Sequence, residues 1–190
     1  MNKKESEEIS KFLSYVLRHE PQSIGLTLDA EGWASIDSLL DSSQKAGRIL
    51  DLSLLEKIVA ESSKKRFSIS PDRKFIRATQ GHSTASVCIK HSELTPPDRL
   101  YHGTATRFLQ SILDNGLVAG ARHHVHLSED LETAKSVGQR YGKPVVLEVE
   151  ALLMHNMGFK FFQAENGVWL VSSVPAELLS VKAQPSTSKD

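Results

Sequence analysis

Phe67-Ser68-Ile69-Ser70-Pro71-Asp72-Arg73-Lys74-Phe75-Ile76-Arg77 is the stretch on which the fold turns. Phe67 and Ile69 alternate with polar residues, Pro71 to Lys74 supply turn chemistry, and Phe75-Ile76-Arg77 returns, which predicts a β-hairpin. Upstream the period changes from two to 3.6. Ile9, Phe12, Leu13, Val16 and Leu17 line one face of a helix over roughly residues 6–19, with Ser6 as N-cap and Pro21 preventing continuation. Leu26 and Leu28 alternate ahead of the turn residues Asp29 to Gly32, predicting a short strand. Ile36, Leu39 and Leu40 face inward on a second helix stopped by Gly47. Ser53 and Glu56 have capping-box spacing and open a third, which carries Leu55, Ile58 and Val59. Three helices followed by a basic hairpin is the order of a winged helix.

Downstream, His91 to Asp98 contains Thr95-Pro96-Pro97 and reads as a linker. Beyond it short strands alternate with helices. Leu100-Tyr101-His102 ends a strand, and Ala105 to Asn115 is a helix carrying Phe108, Leu109, Ile112 and Leu113, terminated by Asn115-Gly116. His124 to Leu127 is a strand, and Ser128 caps a helix running through Val137. Val145, Leu147 and Val149 alternate as a strand, Gly167 to Val171 forms another, and Pro175 suits the first turn of a last short helix. The tail from Lys182, rich in Ser, Thr and Pro, is expected to be disordered. The predicted class is α+β, with one lobe over residues 1–94, a linker over 95–98, a second lobe over 99–182 and a tail over 183–190.

A chain of 190 residues with 39% hydrophobic and 24% charged residues is long enough for one good core or two small ones. It has no apolar run of the roughly 18–20 residues needed to cross a membrane. Met1-Asn2-Lys3-Lys4-Glu5 leads into mixed charge and not into an apolar signal core. Cys88 is the only cysteine, which excludes an intrachain disulfide and a thiolate zinc cluster and points to a cytoplasmic, reducing compartment. Net charge is zero. Its distribution is uneven: Lys64, Lys65, Arg66, Arg73, Lys74 and Arg77 are opposed only by Asp72. That cluster suits either phosphate binding or a solvated hairpin edge guarded by cations.

Leu17-Arg18-His19-Glu20-Pro21 puts two cations in a last helical turn, which fits capping of the helix dipole as well as a bidentate grip on phosphate. In Lys64-Lys65-Arg66-Phe67, strand alternation predicts Lys64 and Arg66 on one face and Lys65 on the other. Arg77-Ala78-Thr79-Gln80-Gly81-His82-Ser83 places polar groups and a glycine after a strand, as a ligand loop or an exit turn. Tyr101-His102-Gly103-Thr104 offers donors, a hydroxyl and backbone amides just before a helix, where a ribose or amide of a nucleotide can bind. No G-x-G-x-x-G and no P-loop pattern occurs, which argues against a Rossmann dehydrogenase. Arg122-His123-His124-Val125-His126-Leu127-Ser128 carries three histidines, but a strand separates His123 from His124 and His126 and no His-Glu-x-x-His pattern exists, so no metal is expected.

Taken together, Ser10–His19, Gly32-Trp33-Ala34, Lys64–Phe67, Ile76–Ser83, Leu100–Thr104, Arg122–Ser128 and Glu165-Asn166-Gly167-Val168-Trp169 closely resemble, in order, the RNA 2′-phosphotransferase family of the KptA type. The resemblance spans about residues 8–180 and implies an N-terminal winged-helix lobe that holds RNA and a C-terminal lobe, similar to ADP-ribosyltransferases, that holds NAD+. It implies a basic catalytic tetrad of Arg18, Lys64, Arg66 and Arg122, with Arg18, His19, Lys64 and Arg66 on the RNA phosphate. A His-His-Val signature falls on His102, His126 and Val168, and Gly103, Thr104 and Ser128 join these around NAD+. Many protein ADP-ribosyltransferases carry a glutamate where Val168 stands, which weighs against ordinary protein modification.

The implied reaction has two steps. The 2′-phosphate of an RNA, tRNA-like RNA among the candidates, displaces nicotinamide from the ribose of NAD+. The neighbouring ribose hydroxyl then attacks phosphorus, releasing 2′-hydroxyl RNA and ADP-ribose 1″,2″-cyclic phosphate. An ionised phosphate nucleophile needs positioning more than a base, and fixed cations suit the charge that builds on the phosphoryl oxygens. Two other functions compatible with these residues are an ADP-ribosyltransferase acting on nucleic-acid ends or protein, and a non-enzymatic RNA-binding protein. Neither a membrane nor a protein partner is implied.

Overall fold

In the computed structural model, residues 3–62 and 65–182 are described, so Lys64 and the tail over 183–190 lie outside the described residues. Contacts divide the chain into two units, residues 1–91 with 121–123, and residues 92–120 with 124–190. The class is mixed α+β: among the described residues there are six α-helices and several small antiparallel sheets.

The first unit opens with α1 (Lys3–Arg18), whose Leu13, Val16 and Leu17 are wholly buried. The helix begins earlier than the capping signal at Ser6 suggested; Ser6 lies inside it. Next come β1 (Ala34–Ser35), α2 (Ile36–Lys45) and α3 (Leu52–Glu61). Residues 26–29 form no strand: the Asp29 side chain instead accepts from the amides of Glu31 and Trp33, at 2.9 and 2.8 Å, and curls the chain. Ser35 caps α2 by accepting from the Ser38 amide. The cap of α3 is Asp51, accepting from the Leu54 amide at 2.8 Å, and not Ser53, which is already helical. Glu56, released from the expected capping box, forms an ion pair with Arg73.

The hairpin is present as β2 (Phe67–Ile69) and β3 (Phe75–Ala78), with Phe67 opposite Ala78 and Ile69 opposite Ile76. β1 adds to the other edge of β3 through Ala34 opposite Ile76. This register puts Ala34, Phe67, Ile69, Ile76 and Ala78 on one face, against the apolar stripes of the three helices. On the opposite face Arg77 stacks over the Trp33 ring, 4.4 Å from its centroid, and pairs with Glu31. Two of the six clustered cations, Arg73 and Arg77, therefore serve the fold.

The second unit contains β4 (Ser92–Glu93), β5 (Leu100–Ala105), α4 (Thr106–Asn115), β6 (Leu117–Val118), β7 (Val125–Leu127), α5 (Leu131–Gly138), β8 (Pro144–Val149), α6 (Ala151–Asn156), β9 (Phe162–Gln163), β10 (Trp169–Val171), β11 (Ser173–Val174) and β12 (Leu179–Val181). Strands order as β4-β9-β10-β7 and as β12-β8-β5, with β11 paired to β6. Ser92 and Glu93 pair with β9, which is why the division falls after His91. Leu100, Leu127, Leu147, Phe161 and Trp169 are among the core residues.

Three expectations change in this unit. β5 continues through Ala105, so Gly103 and Thr104 sit within the strand and not after it. A Cβ on Gly103 would overlap the Ala134 carbonyl oxygen, so glycine lets the backbone of α5 lie directly on β5. The cap of α5 is Asp130, accepting from the Thr133 amide at 2.6 Å, while Ser128 exchanges backbone hydrogen bonds with Tyr101. The last of the three is the strand expected from Gly167, which starts at Trp169 because Gly167, at φ +79°, belongs to the preceding turn.

Candidate functional site

In the first unit the cations converge where α1 ends. Arg18 is in the last turn of α1, and its Nη2 donates to the Arg66 carbonyl oxygen at 3.4 Å. Arg66 lies just before β2; the Thr79 amide donates to the same carbonyl at 3.0 Å, and the Thr79 hydroxyl donates to the Lys65 carbonyl at 3.0 Å. Lys65 adopts φ +40° and is not extended, while the shared face expected for Lys64 and Arg66 involves Lys64, which lies outside the described residues.

The segment after β3 clasps the same helix end. The Ser83 amide and the Thr84 hydroxyl both donate to the Arg18 carbonyl oxygen, each at 3.0 Å. Ser83 Oγ lies 2.9 Å from His19 Nδ1. Burial, then the charges of Arg18 and Arg122, hold the His19 imidazole below its ordinary value against the smaller pull of Glu20. Arg122 is thus within electrostatic reach of His19, in the same unit, because residues 121–123 belong with residues 1–91.

Beneath the clasp, His82 is only 4% exposed, and its Nε2 has no hydrogen-bond partner among the described residues. Burial first, then the positive surroundings of Arg18, His123, His19 and His91, push its pKa down to about 4. Gly32, at φ +80°, faces this ring, and any Cβ there would crowd His82 Nε2 at 2.9 Å. Ser83 and Thr84 were not singled out as site residues by sequence reasoning. Their signal was the polar run after β3, which reads equally as an exit turn.

In the second unit, His102 Nδ1 lies 3.0 Å from the His126 carbonyl oxygen. A carbonyl only accepts, so the Nδ1 nitrogen carries the proton. On β7, His126 is opposite Leu170 of β10. Val168 lies just before β10, where its carbonyl oxygen accepts from the Ala164 amide at 2.9 Å. Trp169 is pinned by its Nε1 donating to Glu129 Oε1 at 2.6 Å. Ser128 Oγ accepts from the Asp130 amide, and Thr104 is buried. His123 belongs to the first unit, whereas His124 and His126 belong to the second. Among the described residues no group of three or more His, Cys, Asp or Glu is gathered as a metal site.

A profile described as RNA 2′-phosphotransferase, Tpt1 / KptA family, matches residues 4–173. The chain belongs to this family.

Curated relatives of the Tpt1/KptA family extend the match over nearly the full length. A probable RNA 2′-phosphotransferase of Pseudomonas syringae pv. tomato is 57% identical over 180 residues, covering 95% of this chain and 96% of the relative. One from Escherichia coli O45:K1 is 56% identical over 185 residues, 97% and 95% of the two chains. One from Shigella boydii serotype 18 is 58% identical over 178 residues, 94% and 97%. Tpt1/KptA proteins are transferases, and the family uses NAD+. Among the described residues no helix is long and apolar enough to cross a membrane.

Proposed function

We propose that this Tpt1/KptA-family transferase removes an internal 2′-phosphate from RNA, tRNA-like RNA included, with NAD+ as co-substrate. The products are 2′-hydroxyl RNA, ADP-ribose 1″,2″-cyclic phosphate and nicotinamide. The observation that carries the reading is that Arg18 reaches the Arg66 backbone while the charges of Arg18 and Arg122 both bear on His19, all within one unit. Lys64 completes the proposed tetrad.

The helix–helix–helix–hairpin order, with β1 beside the hairpin, supports a winged-helix RNA lobe. Guanidinium groups match phosphate in charge and in planar geometry. Three of them fixed about one phosphate bind the dianion, then stabilise the added charge when phosphorus is attacked. Both histidines of this cluster have lowered pKa values, so the arginines supply its charge at neutral pH.

The second unit is proposed as the ADP-ribosyltransferase-like lobe. Its residues suit a ribose and an amide: His102 with a fixed tautomer, backbone of Gly103 and Thr104 on β5, the Ser128 hydroxyl, His126 on β7 and Val168 just before β10. NAD+ bound there supplies an electrophilic ribose carbon and a leaving nicotinamide. Val168 brings no charge, and the nucleophile is a phosphate that needs no carboxylate base. A cytoplasmic setting agrees with the single, exposed Cys88.

The test is incubation of a 2′-phosphorylated oligoribonucleotide with NAD+, following RNA and nucleotide products together. Both 2′-hydroxyl RNA and the cyclic phosphate are expected. ADP-ribosylated acceptor without cyclic phosphate would replace the reading with plain ADP-ribosyl transfer, and RNA binding without NAD+ consumption would reduce it to an RNA-binding protein.

A further inference from the structure

One face of α1 runs from Arg18 back toward the start of the helix, and its residues before Arg18 have no part in the chemistry described above. Lys11, Tyr15 and Arg18 are spaced i, i+4, i+7, so they form a stripe along one side of the helix, away from the buried Leu13, Val16 and Leu17. Lys11 is exposed, and Tyr15 leaves 48% of its surface to solvent, though an aromatic ring of that size is ordinarily covered. Beside the stripe Arg48 lies over the Phe12 ring, 4.7 Å from its centroid. Glu8, Lys11, Phe12, Tyr15 and Arg48 line a groove of about 360 Å³.

The residue types point to one kind of occupant. Aromatic faces beside cations are what single-stranded nucleic acid uses: bases stack on the ring and the backbone tracks the charge. The charge also has a direction. Moving away from Arg18, Lys11 and Arg48 keep the groove positive until Glu8 reverses the sign. From Arg18 to Lys11 is about 10 Å along the helix axis. That length suits a few stacked nucleotides at roughly 3.4 Å each.

We propose that the Lys11–Tyr15 stripe, with Arg48 on Phe12, is a docking track for RNA nucleotides flanking the 2′-phosphate, leading away from Arg18. The proposal rests on the RNA 2′-phosphotransferase reading and adds a substrate-length preference to it. Tyr15 supplies the stacking platform, while Lys11 and Arg48 hold backbone phosphates. The track sets affinity and takes no part in bond making.

Two measurements separate this proposal from the activity itself. The first compares turnover of a 2′-phosphorylated dinucleotide with that of a decanucleotide carrying the same internal 2′-phosphate. Tyr15→Ala is expected to raise KM for the decanucleotide about tenfold, in line with the ~1–3 kcal/mol of base stacking. It should leave kcat and the dinucleotide KM within about twofold, and Tyr15→Phe should behave as wild type. The second is fluorescence anisotropy of a labelled 2′-phosphorylated decanucleotide without NAD+. Here Tyr15→Ala should weaken binding by a similar factor, and Lys11→Ala should reduce the salt slope by about one. Equal effects of Tyr15→Ala on both substrates, or no effect on either, would overturn the track. RNA binding weakened by Tyr15→Ala, but with no turnover even by wild type, would keep the track and overturn the activity.

Discussion

His19 Nδ1 and Ser83 Oγ, 64 residues apart in sequence, meet at 2.9 Å. That contact holds one imidazole nitrogen and so fixes which way the ring turns its other nitrogen. Ser83→Ala should cost about 1 kcal/mol of stability, the usual net worth of one hydrogen bond. It should slow single-turnover dephosphorylation by about tenfold because His19 is no longer oriented. Ser83→Thr keeps the hydroxyl and should recover most of the rate. A melting curve beside the time course distinguishes lost orientation from lost fold.

Arg66 and Arg122 are expected to act most strongly when phosphorus is attacked, since charge on the phosphoryl oxygens rises most there. Alanine at either should slow that step by on the order of 10²–10³, so that ADP-ribosylated RNA accumulates before it decays. Arg66→Lys should rescue only in part, keeping charge but losing the planar fork. A gel resolving substrate, intermediate and product from a labelled 2′-phosphate reads this directly. Slow loss of substrate with no intermediate would move both arginines to RNA binding or nicotinamide release.

Gly103→Ala drives a methyl group into the Ala134 carbonyl of α5. Both partners are backbone, so neither side can swing away, and overpacking of this kind typically costs ~1–3 kcal/mol or more. The expected result is a Tm lowered by several degrees or loss of folded protein. An unchanged Tm would mean that α5 does not rest on β5 as described.

Stability should fall on mild acidification. In the folded chain His82 has a pKa pushed down to about 4, whereas the unfolded value is 6.5. Between those values the unfolded chain binds more protons, so stability is full above about pH 6.5 and is lost as pH drops toward 4. His19, lowered in the same direction, adds to the effect. The His82 contribution is on the order of 3 kcal/mol. Urea melts of wild type from pH 4 to 8 should show the slope, and His82→Leu should flatten it. A wild-type midpoint constant over that range would contradict the buried neutral ring.

If guanidinium groups meet the phosphate charge as proposed, chelation should leave turnover unchanged; no ligand set is gathered among the described residues. Loss of activity in EDTA, restored by one metal ion, would return attention to the histidines of residues 123–126.

Much of this was legible in the chain itself. The hairpin from Phe67 and the apolar face of α1 follow from periodicity, which depends on neighbours only a few residues away. The caps were harder. Ser53 and Ser128 are acceptable caps by type, but Asp51 and Asp130 hold the positions because the chain enters each helix there. Arg77, one of six cations that read alike, turned out to stack on Trp33, and nothing local distinguishes a stacked arginine from a phosphate ligand. The contacts of Ser83 and Thr84 with the end of α1 span more than sixty residues, and no short-range pattern encodes them.

Residues 121–123 group with residues 1–91 although they are threaded within the span of the other unit. A cut after His91 would therefore leave Arg122 on the wrong fragment. Even with its own core intact the N-terminal piece would lack one of its guanidinium groups, and a transplant of that piece onto another partner would not carry it. Modular exchange of the two halves, by recombination or by engineering, must carry the 121–123 segment along or lose the cluster. Adding residues 92–190 in trans should then restore activity to residues 1–91 only if the added fragment retains Arg122.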